Sequence, residues 1–328
     1  MGEFDLIARY FNRPASHIQQ GLHEGRSVDI GLDIGIGDDC AVFTPTAGMQ
    51  LCISSDMLVE GRHFFSDVSP EALGHKALAV NLSDLAACGA APRAFTLALA
   101  LPAVNEAWLE GFSRGLFALA DAHGCTLIGG DTTQGPLNIC ITVFGEVPRV
   151  NGKSGALLRS GAQAGDDIYV SGTGVDHVGQ ARLALEILRG NIKADAATLE
   201  AVRHRLERPT PRVHLGVALR TIATSCIDIS DGLLGDLGHI LKASHVGANV
   251  QTHWIEGSQA FALSGGDDYE LLLTAPPHQR DALQAVSEKT CTRLTRIGVI
   301  DAQLGLRLLD SAGLPLLNRF NSFDHFAT

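Results

Sequence analysis

The chain has 328 residues, 45% of them hydrophobic and 19% charged, with 36 acidic against 25 basic side chains and a net charge of −11. That balance excludes a mainly disordered chain, and the length suits two domains at roughly 100–200 residues each. The first 150 residues carry 17 acids against 8 bases, which argues against a duplex-DNA or anionic-membrane binder and for a half that gathers cations.

Leu6, Ile7, Tyr10 and Phe11 recur at helical spacing and predict a short opening helix. An acidic, Gly-rich segment runs from Gly31 to Asp39, followed by strand-like runs at Cys40–Thr44 and Leu51–Ser54. Pro70 opens a helical stretch to about Cys88, with Gly89 as its stop signal. Next come a strand at Phe95–Leu101, a helix at Glu106–His123, a short strand at Thr126–Ile128 ending in Gly129-Gly130-Asp131, and a long strand at Leu137–Val147. The Gly-, Ser- and Arg-rich segment Pro148–Gly165 reads as a junction, giving domains over 1–149 and 150–328. Beyond it, strands are expected at Asp167–Ser171, Cys226–Ile229, Tyr269–Thr274, Arg293–Val299 and Leu306–Asp310. Helices are expected near 178–189, 195–206, 212–223 and 232–243. Both halves mix strands and helices without a regular β-α alternation, which predicts an α+β fold of two mixed domains.

Seven cysteines are scattered without any CxxC, which fits reduced thiols better than a zinc cluster or disulfide framework. The N-terminus lacks a basic segment followed by an apolar one, and the most apolar stretch, Leu85–Val104, is broken by Pro92, Arg93 and Pro102. A soluble, cytoplasmic protein is expected.

The informative pattern is where the carboxylates fall. Asp38 and Asp39 close Gly35-Ile36-Gly37-Asp38-Asp39. Asp56 follows Ser54-Ser55, and Asp84 sits in the apolar run Asn81-Leu82-Ser83-Asp84-Leu85. Asp131 ends Ile128-Gly129-Gly130-Asp131. Asp228 and Asp231 frame Asp228-Ile229-Ser230-Asp231-Gly232, and Asp267, Asp268 and Glu270 follow Gly265-Gly266. Carboxylates gathered at the mouths of elements repel one another unless cations or protons neutralise them. Neighbouring Gly and Ser residues let backbone N–H groups approach an anion. Together these features point to Mg²⁺ with a polyphosphate. Each acid taken singly is also compatible with a turn or helix cap, as Asp231 before Gly232 would be. Val150-Asn151-Gly152-Lys153-Ser154 is not a P-loop, because Val147 stands where that motif needs Gly, and neither HExxH nor GxSxG occurs.

These motifs, with Gly2-Glu3-Phe4, Lys76–Ala87, Asp131-Thr132-Thr133 and Phe323-Asp324-His325-Phe326, occur in an order that resembles the thiamine-monophosphate kinase family. That family belongs to an ATP-binding superfamily that includes aminoimidazole ribonucleotide synthetase and selenophosphate synthetase. The resemblance implies ATP-dependent phosphorylation of thiamine monophosphate to thiamine diphosphate. It also implies a homodimer whose N-terminal sheet domain forms the interface, and a C-terminal α+β domain that completes the nucleotide and substrate site. Carried over residue by residue, Asp39, Ser54, Ser55, Asp56, Asp84, Asp131, Asp228 and Asp231 would hold several Mg²⁺ ions. Gly130, Asp131, Arg159 and Ser230 would meet ATP, and His63, Asp267 and Phe323 the substrate. No general base is implied. Asp267 stands where the family has Glu, and the stretches Val250–Leu263 and Gly172–Gly179 are shorter than in the family. Two other readings stay open on the sequence. One is another ATP-dependent synthetase of the superfamily, against which it counts that Lys76 is the first lysine of the chain. The other is a non-catalytic Mg²⁺–nucleotide-binding relative.

Overall fold

The structure is a computed structural model that describes residues 2–13, 31–172, 177–257 and 259–317. The chain divides into two compact units, one comprising the residues up to Leu85 with Ala90–Gly155, the other Ala86–Gly89 with the residues from Ala156 onward.

The first unit opens with helix α1 (Glu3–Tyr10), which buries Leu6 and Tyr10 as its spacing predicts. Strands β1 (Leu32–Ile34) and β2 (Val42–Phe43) form a small antiparallel pair. Strand β3 (Met49–Val59), helix α2 (Pro70–Ala87), strand β4 (Ala91–Leu101), helix α3 (Glu106–Ala122), and strands β5 (Thr126–Gln134), β6 (Asn138–Val150) and β7 (Lys153–Ser154) follow. The main sheet has the order β3-β6-β4-β5, with β7 paired to β6. Only β4 and β5 run parallel, joined by α3 in a crossover unit. Helix α2 is apolar nearly all round and correspondingly buried, with Leu73, Leu78, Leu82 and Leu85 all at 1% exposure or less. Helix α3 is capped by Asn105, whose side chain accepts from the Trp108 N–H at 3.1 Å.

Strands β3, β4, β5 and β6 are all longer than expected, and the lengthening of β3 and β5 moves two carboxylates. Strand β3 pairs with β6 from Met49↔Pro148 to Val59↔Asn138, so Asp56 lies inside a strand rather than at its end. Strand β5 continues past Gly129-Gly130 because a bulge at Phe95/Thr96 lets it stay paired with β4 as far as Leu101↔Gln134, which puts Asp131 inside a strand too. Pro92 is accommodated near the start of β4 by a second irregularity between Pro92 and Ala94.

The second unit comprises strand β8 (Asp167–Ser171), helices α4 (Gln180–Leu188), α5 (Ala196–Glu207) and α6 (Val213–Leu219), strand β9 (Ser225–Asp228), helix α7 (Leu233–Ser244), strand β10 (Gly247–Gln251), helix α8 (Gln259–Ser264), strand β11 (Leu271–Ala275), helix α9 (Arg280–Lys289), and strands β12 (Leu294–Asp301), β13 (Gly305–Leu309) and β14 (Pro315–Leu316). Seven strands form one sheet in the order β14-β13-β10-β12-β8-β11-β9, parallel only between β10 and β13. Strands β8, β9 and β11 are buried along their whole length, and a core that includes Ile168, Ile227, Leu237, Val250 and Leu272 fills the unit. Elements β10, α8, α9 and β14 are not among those the sequence predicts. The α+β expectation is met in both units. Among the described residues, no helix is long and apolar enough to cross a membrane.

Candidate functional site

In the first unit the period-2 geometry of β3 decides which side chains meet α2. Ser54 and Asp56 point toward the helix. The Ser54 hydroxyl donates to Asp84 Oδ2 at 2.5 Å, and the Asp56 N–H donates to Asn81 Oδ1 at 3.0 Å. Asn81 and Asp84, three apart, share the helix face that looks at the strand. The Asn81 amide in turn donates to the Ala77 carbonyl at 3.0 Å, which fixes its orientation. This solves the problem of an acid in an apolar helix, because Asp84 is only half-buried and has a hydroxyl donor. Ser55 lies on the opposite face of the strand, 2.9 Å from Thr142 Oγ1 on β6. The sequence motifs do not single out Asn81 as a site residue, although the run Asn81-Leu82-Ser83-Asp84 places it one turn from Asp84.

A second cluster lies in a cleft of about 990 Å³ lined by α1, the segment Gly35–Ala41 and residues 127–132 of β5. Asp38, Asp39, Gly130 and Asp131 all line it, so the two Gly-rich acidic motifs of the N-terminal half come together although 92 residues separate Asp39 from Asp131. Gly130 has φ +148°, and a Cβ there would lie 1.8 Å from the Leu97 carbonyl oxygen. Only glycine fits. His63 sits in the turn after β3, where its Nδ1 accepts from the Val59 N–H at 3.0 Å, so the neutral ring carries its proton on Nε2. The buried ammonium of Lys76 donates to the His63 carbonyl at 3.4 Å.

In the second unit two turns are stitched together. Asp228 ends β9 in a buried position, and Ser230 and Asp231 follow before α7. The Ser230 carbonyl accepts from the Asp267 N–H and the Ile229 carbonyl from the Tyr269 N–H, both at 2.9 Å. The remaining alternative for Asp231, a helix cap, is not what it does. The carboxylate that closes the start of α7 is Asp236, whose Oδ2 accepts from the N–H groups of Asp231 at 3.2 Å and Gly232 at 3.1 Å. Burial pushes the Asp236 carboxyl up to about 7, against the pull of those N–H donors.

Behind the second turn lies a charge network that sequence reasoning missed. Glu270, fully buried, accepts from Arg205 at 2.8 Å, from Arg212 Nε at 2.8 Å and Nη2 at 2.5 Å, and from the Ser171 hydroxyl at 2.5 Å. Arg159 is exposed, and its carbonyl takes the Ser244 hydroxyl at 3.3 Å. Phe323 lies outside the described residues.

Among the described residues, no three His, Cys, Asp or Glu side chains gather as a metal cage. The donors come instead as ones and twos, all oxygen: Ser54 with Asp84, Asp56 beside them, and Asp39 and Asp131 on one cleft. Such a set suits a hard divalent cation whose remaining positions are taken by phosphate oxygens and water, and does not suit zinc.

A fold of this kind with paired Gly-rich acidic turns is that of the AIR synthase related proteins. The N-terminal domain of that family matches residues 37–147 and its C-terminal domain residues 163–310. Within that class, the chain belongs to the thiamine-monophosphate kinase family. It is 44% identical over 340 residues to the thiamine-monophosphate kinase of Escherichia coli K12, covering 100% of this chain and 99% of that one. The structure is similar to the crystal structure of thiamine-monophosphate kinase from Stenotrophomonas maltophilia K279a, with TM-score 0.82, 43% identity, and coverage of 94% of this chain and 96% of that one. A second solved structure, AaThiL complexed with AMPPCP and TMP, matches with TM-score 0.74 and 27% identity over 86% of this chain and 89% of that one.

Proposed function

We propose that this protein transfers the terminal phosphoryl group of ATP to thiamine monophosphate, giving thiamine diphosphate and ADP. The observation that carries the reading is the end-to-end likeness to thiamine-monophosphate kinases, one of them solved with AMPPCP and TMP. The residues suit the chemistry. A phosphate monoester offers an oxygen that is already anionic, so a side chain that strips a proton is unnecessary, and the task is to align two polyanions.

Mg²⁺ would be held by Asp39, Ser54, Asp56, Asp84 and Asp131 of the first unit and by Asp228 and Asp231 of the second, with Ser55, on the other face of β3 from Ser54, serving a separate ion. When bound, it neutralises phosphate charge and stabilises the charge that develops during transfer. Gly130 lines the cleft beside Asp131, where the nucleotide phosphates would lie, and Arg159 and Ser230 would contact the nucleotide. His63, held in the turn after β3 by the Val59 N–H, would contact the acceptor. Asp267 and Phe323 complete the substrate side. In this reading residues 1–149 bind nucleotide and metal and form a homodimer, residues 150–328 complete the site, and the enzyme works in the cytoplasm. The dimer draws support from the sheet face of β3 that points away from α2, where Ile53 and Met57 are 61% and 53% exposed.

Incubation with ATP, Mg²⁺ and thiamine monophosphate should yield thiamine diphosphate and ADP in equal amounts, and chelation of Mg²⁺ should stop it. Asp131→Asn should lower kcat by about 10²-fold or more while leaving the circular dichroism spectrum unchanged. ADP with free phosphate but no thiamine diphosphate would refute the acceptor. Binding of Mg·ATP without any ADP would favour a non-catalytic relative.

A further inference from the structure

We propose that Asp268 is a positioning residue that ties the start of α4 to the turn carrying Asp267 and thereby fixes the substrate-side carboxylate. The proposal rests on the reading of Asp267 as a substrate contact. The backbone here is unusual. Asp267 has φ +65° and Tyr269 φ +52°, two non-glycine residues in the left-handed region on either side of Asp268. Such a turn persists only where its surroundings over-determine it.

Those surroundings are visible on each side. The Asp267 and Tyr269 N–H groups are held by the Ser230 and Ile229 carbonyls. The Asp268 carbonyl accepts from Arg205 Nη2 at 3.1 Å, the same nitrogen that donates to Glu270. The Tyr269 hydroxyl donates to Asp267 Oδ1 at 3.1 Å, orienting the side chain that would face the substrate. One anchor remains, and it comes from a distant element. Asp268, with no exposed surface, sends Oδ2 to the N–H of Gly179, the N-cap residue of α4, at 2.8 Å.

An acid is a costly choice for this position. Asp268 Oδ1 meets no hydrogen-bond partner among the described residues, and burial raises the carboxyl well above the ordinary aspartate range. An apolar residue would avoid that cost but leave the Gly179 N–H, an orphan donor at a helix start, buried without an acceptor. The seat of α4 is tight as well: a Cβ on Gly179 would lie 2.6 Å from the Ala262 nitrogen, and one on Gly265 would lie 2.4 Å from the Phe261 carbonyl oxygen. Helix α8 is thus wedged between the α4 start and the turn, and the Asp268–Gly179 bond closes the circuit. Displacing α4 and rotating the Asp267 turn become one motion.

A merely structural role would lower stability without favouring one substrate, so the test separates the two. Asp268→Ala is expected to raise KM for thiamine monophosphate about tenfold, the worth of one such hydrogen bond, with KM for ATP changed less than about twofold. Asp268→Asn keeps an acceptor oxygen at the same reach and should restore KM to near wild type. Should the alanine variant fail to fold, Asp268→Ser, polar but too short to reach Gly179, is expected to show the same split. Independently of activity, hydrogen exchange at the Gly179 amide should accelerate in the Ala or Ser variant and stay slow in the Asn variant. Unchanged KM for thiamine monophosphate, equal rises for both substrates, no recovery with Asn, or unchanged exchange at Gly179 would each overturn the proposal. If the wild-type protein forms no thiamine diphosphate, the kinase reading fails, and the exchange measurement still decides the anchoring.

Discussion

Asp84 and Asp268 are two acids withdrawn from bulk solvent that reach opposite solutions. Asp84 keeps contact with solvent and gains a 2.5 Å bond from the Ser54 hydroxyl, so its charge is supported where a cation would use it. Asp268 is sealed in, and burial favours its neutral form. That difference has a consequence for stability. Above the usual aspartate value of 3.8 the unfolded chain loses the Asp268 proton while the folded chain retains it. The folded state then binds more protons than the unfolded one, and stability falls as pH rises from about 4 toward the raised folded value. Urea denaturation across that range should give a shallower decline in Asp268→Asn than in wild type. An equal slope in both proteins would place the neutral acid elsewhere.

Helices α2 and α3 cross at a contact made of glycines. A Cβ on Gly74 would lie 2.1 Å from the Phe112 carbonyl oxygen, and one on Gly115 would lie 1.9 Å from that of Glu71. Gly115→Ala should therefore destabilise the first unit by about 1–3 kcal/mol in urea unfolding, despite the roughly 1 kcal/mol of helix propensity that alanine offers. The two helices were legible from their apolar runs and stop signals, but this use of glycine was not, since spacing alone shows glycine in a helix only as a cost. Helix α9 is illegible in the sequence for a related reason: of Arg280–Lys289 only Leu283 is buried, too thin a stripe to read. Strand β10, Gly-Ala-Asn-Val-Gln, is poor in strand-forming residues and is held by its neighbours β12 and β13. The acids of the candidate site could be found because each sits in its own short Gly- or Ser-rich motif. The network of Arg205, Arg212 and Glu270 could not, because 58 or more residues separate its partners and an arginine on a mixed helix reads as solvated.

At the scale of the whole molecule, the outer face of the first unit's sheet asks for a partner. Ile53 is 61% exposed opposite Phe144, and Met57 is 53% exposed opposite Cys140, on a face that also carries Leu51, at 40% exposure, with Ser55 and Thr142 between them. If this face pairs two copies, Ile53→Asp should shift the protein to monomer in sedimentation velocity while leaving the helix-facing side chains of β3 in place. A dimer that withstands this change would move the interface elsewhere.

Strand β3 is consequently a ruler read from both sides. Its even positions, 52 to 58, look toward α2, and its odd positions, 51 to 57, look outward. Substitution can tune either edge of the ruler separately. Insertion or deletion of a single residue cannot, because it would carry Ile53 into the place of Ser54 and deliver the acid of Asp56 to the apolar face. The length of this strand is therefore the quantity that drifting relatives must keep constant, and a scan of its positions should show tolerance alternating residue by residue, with gaps tolerated nowhere between 51 and 57.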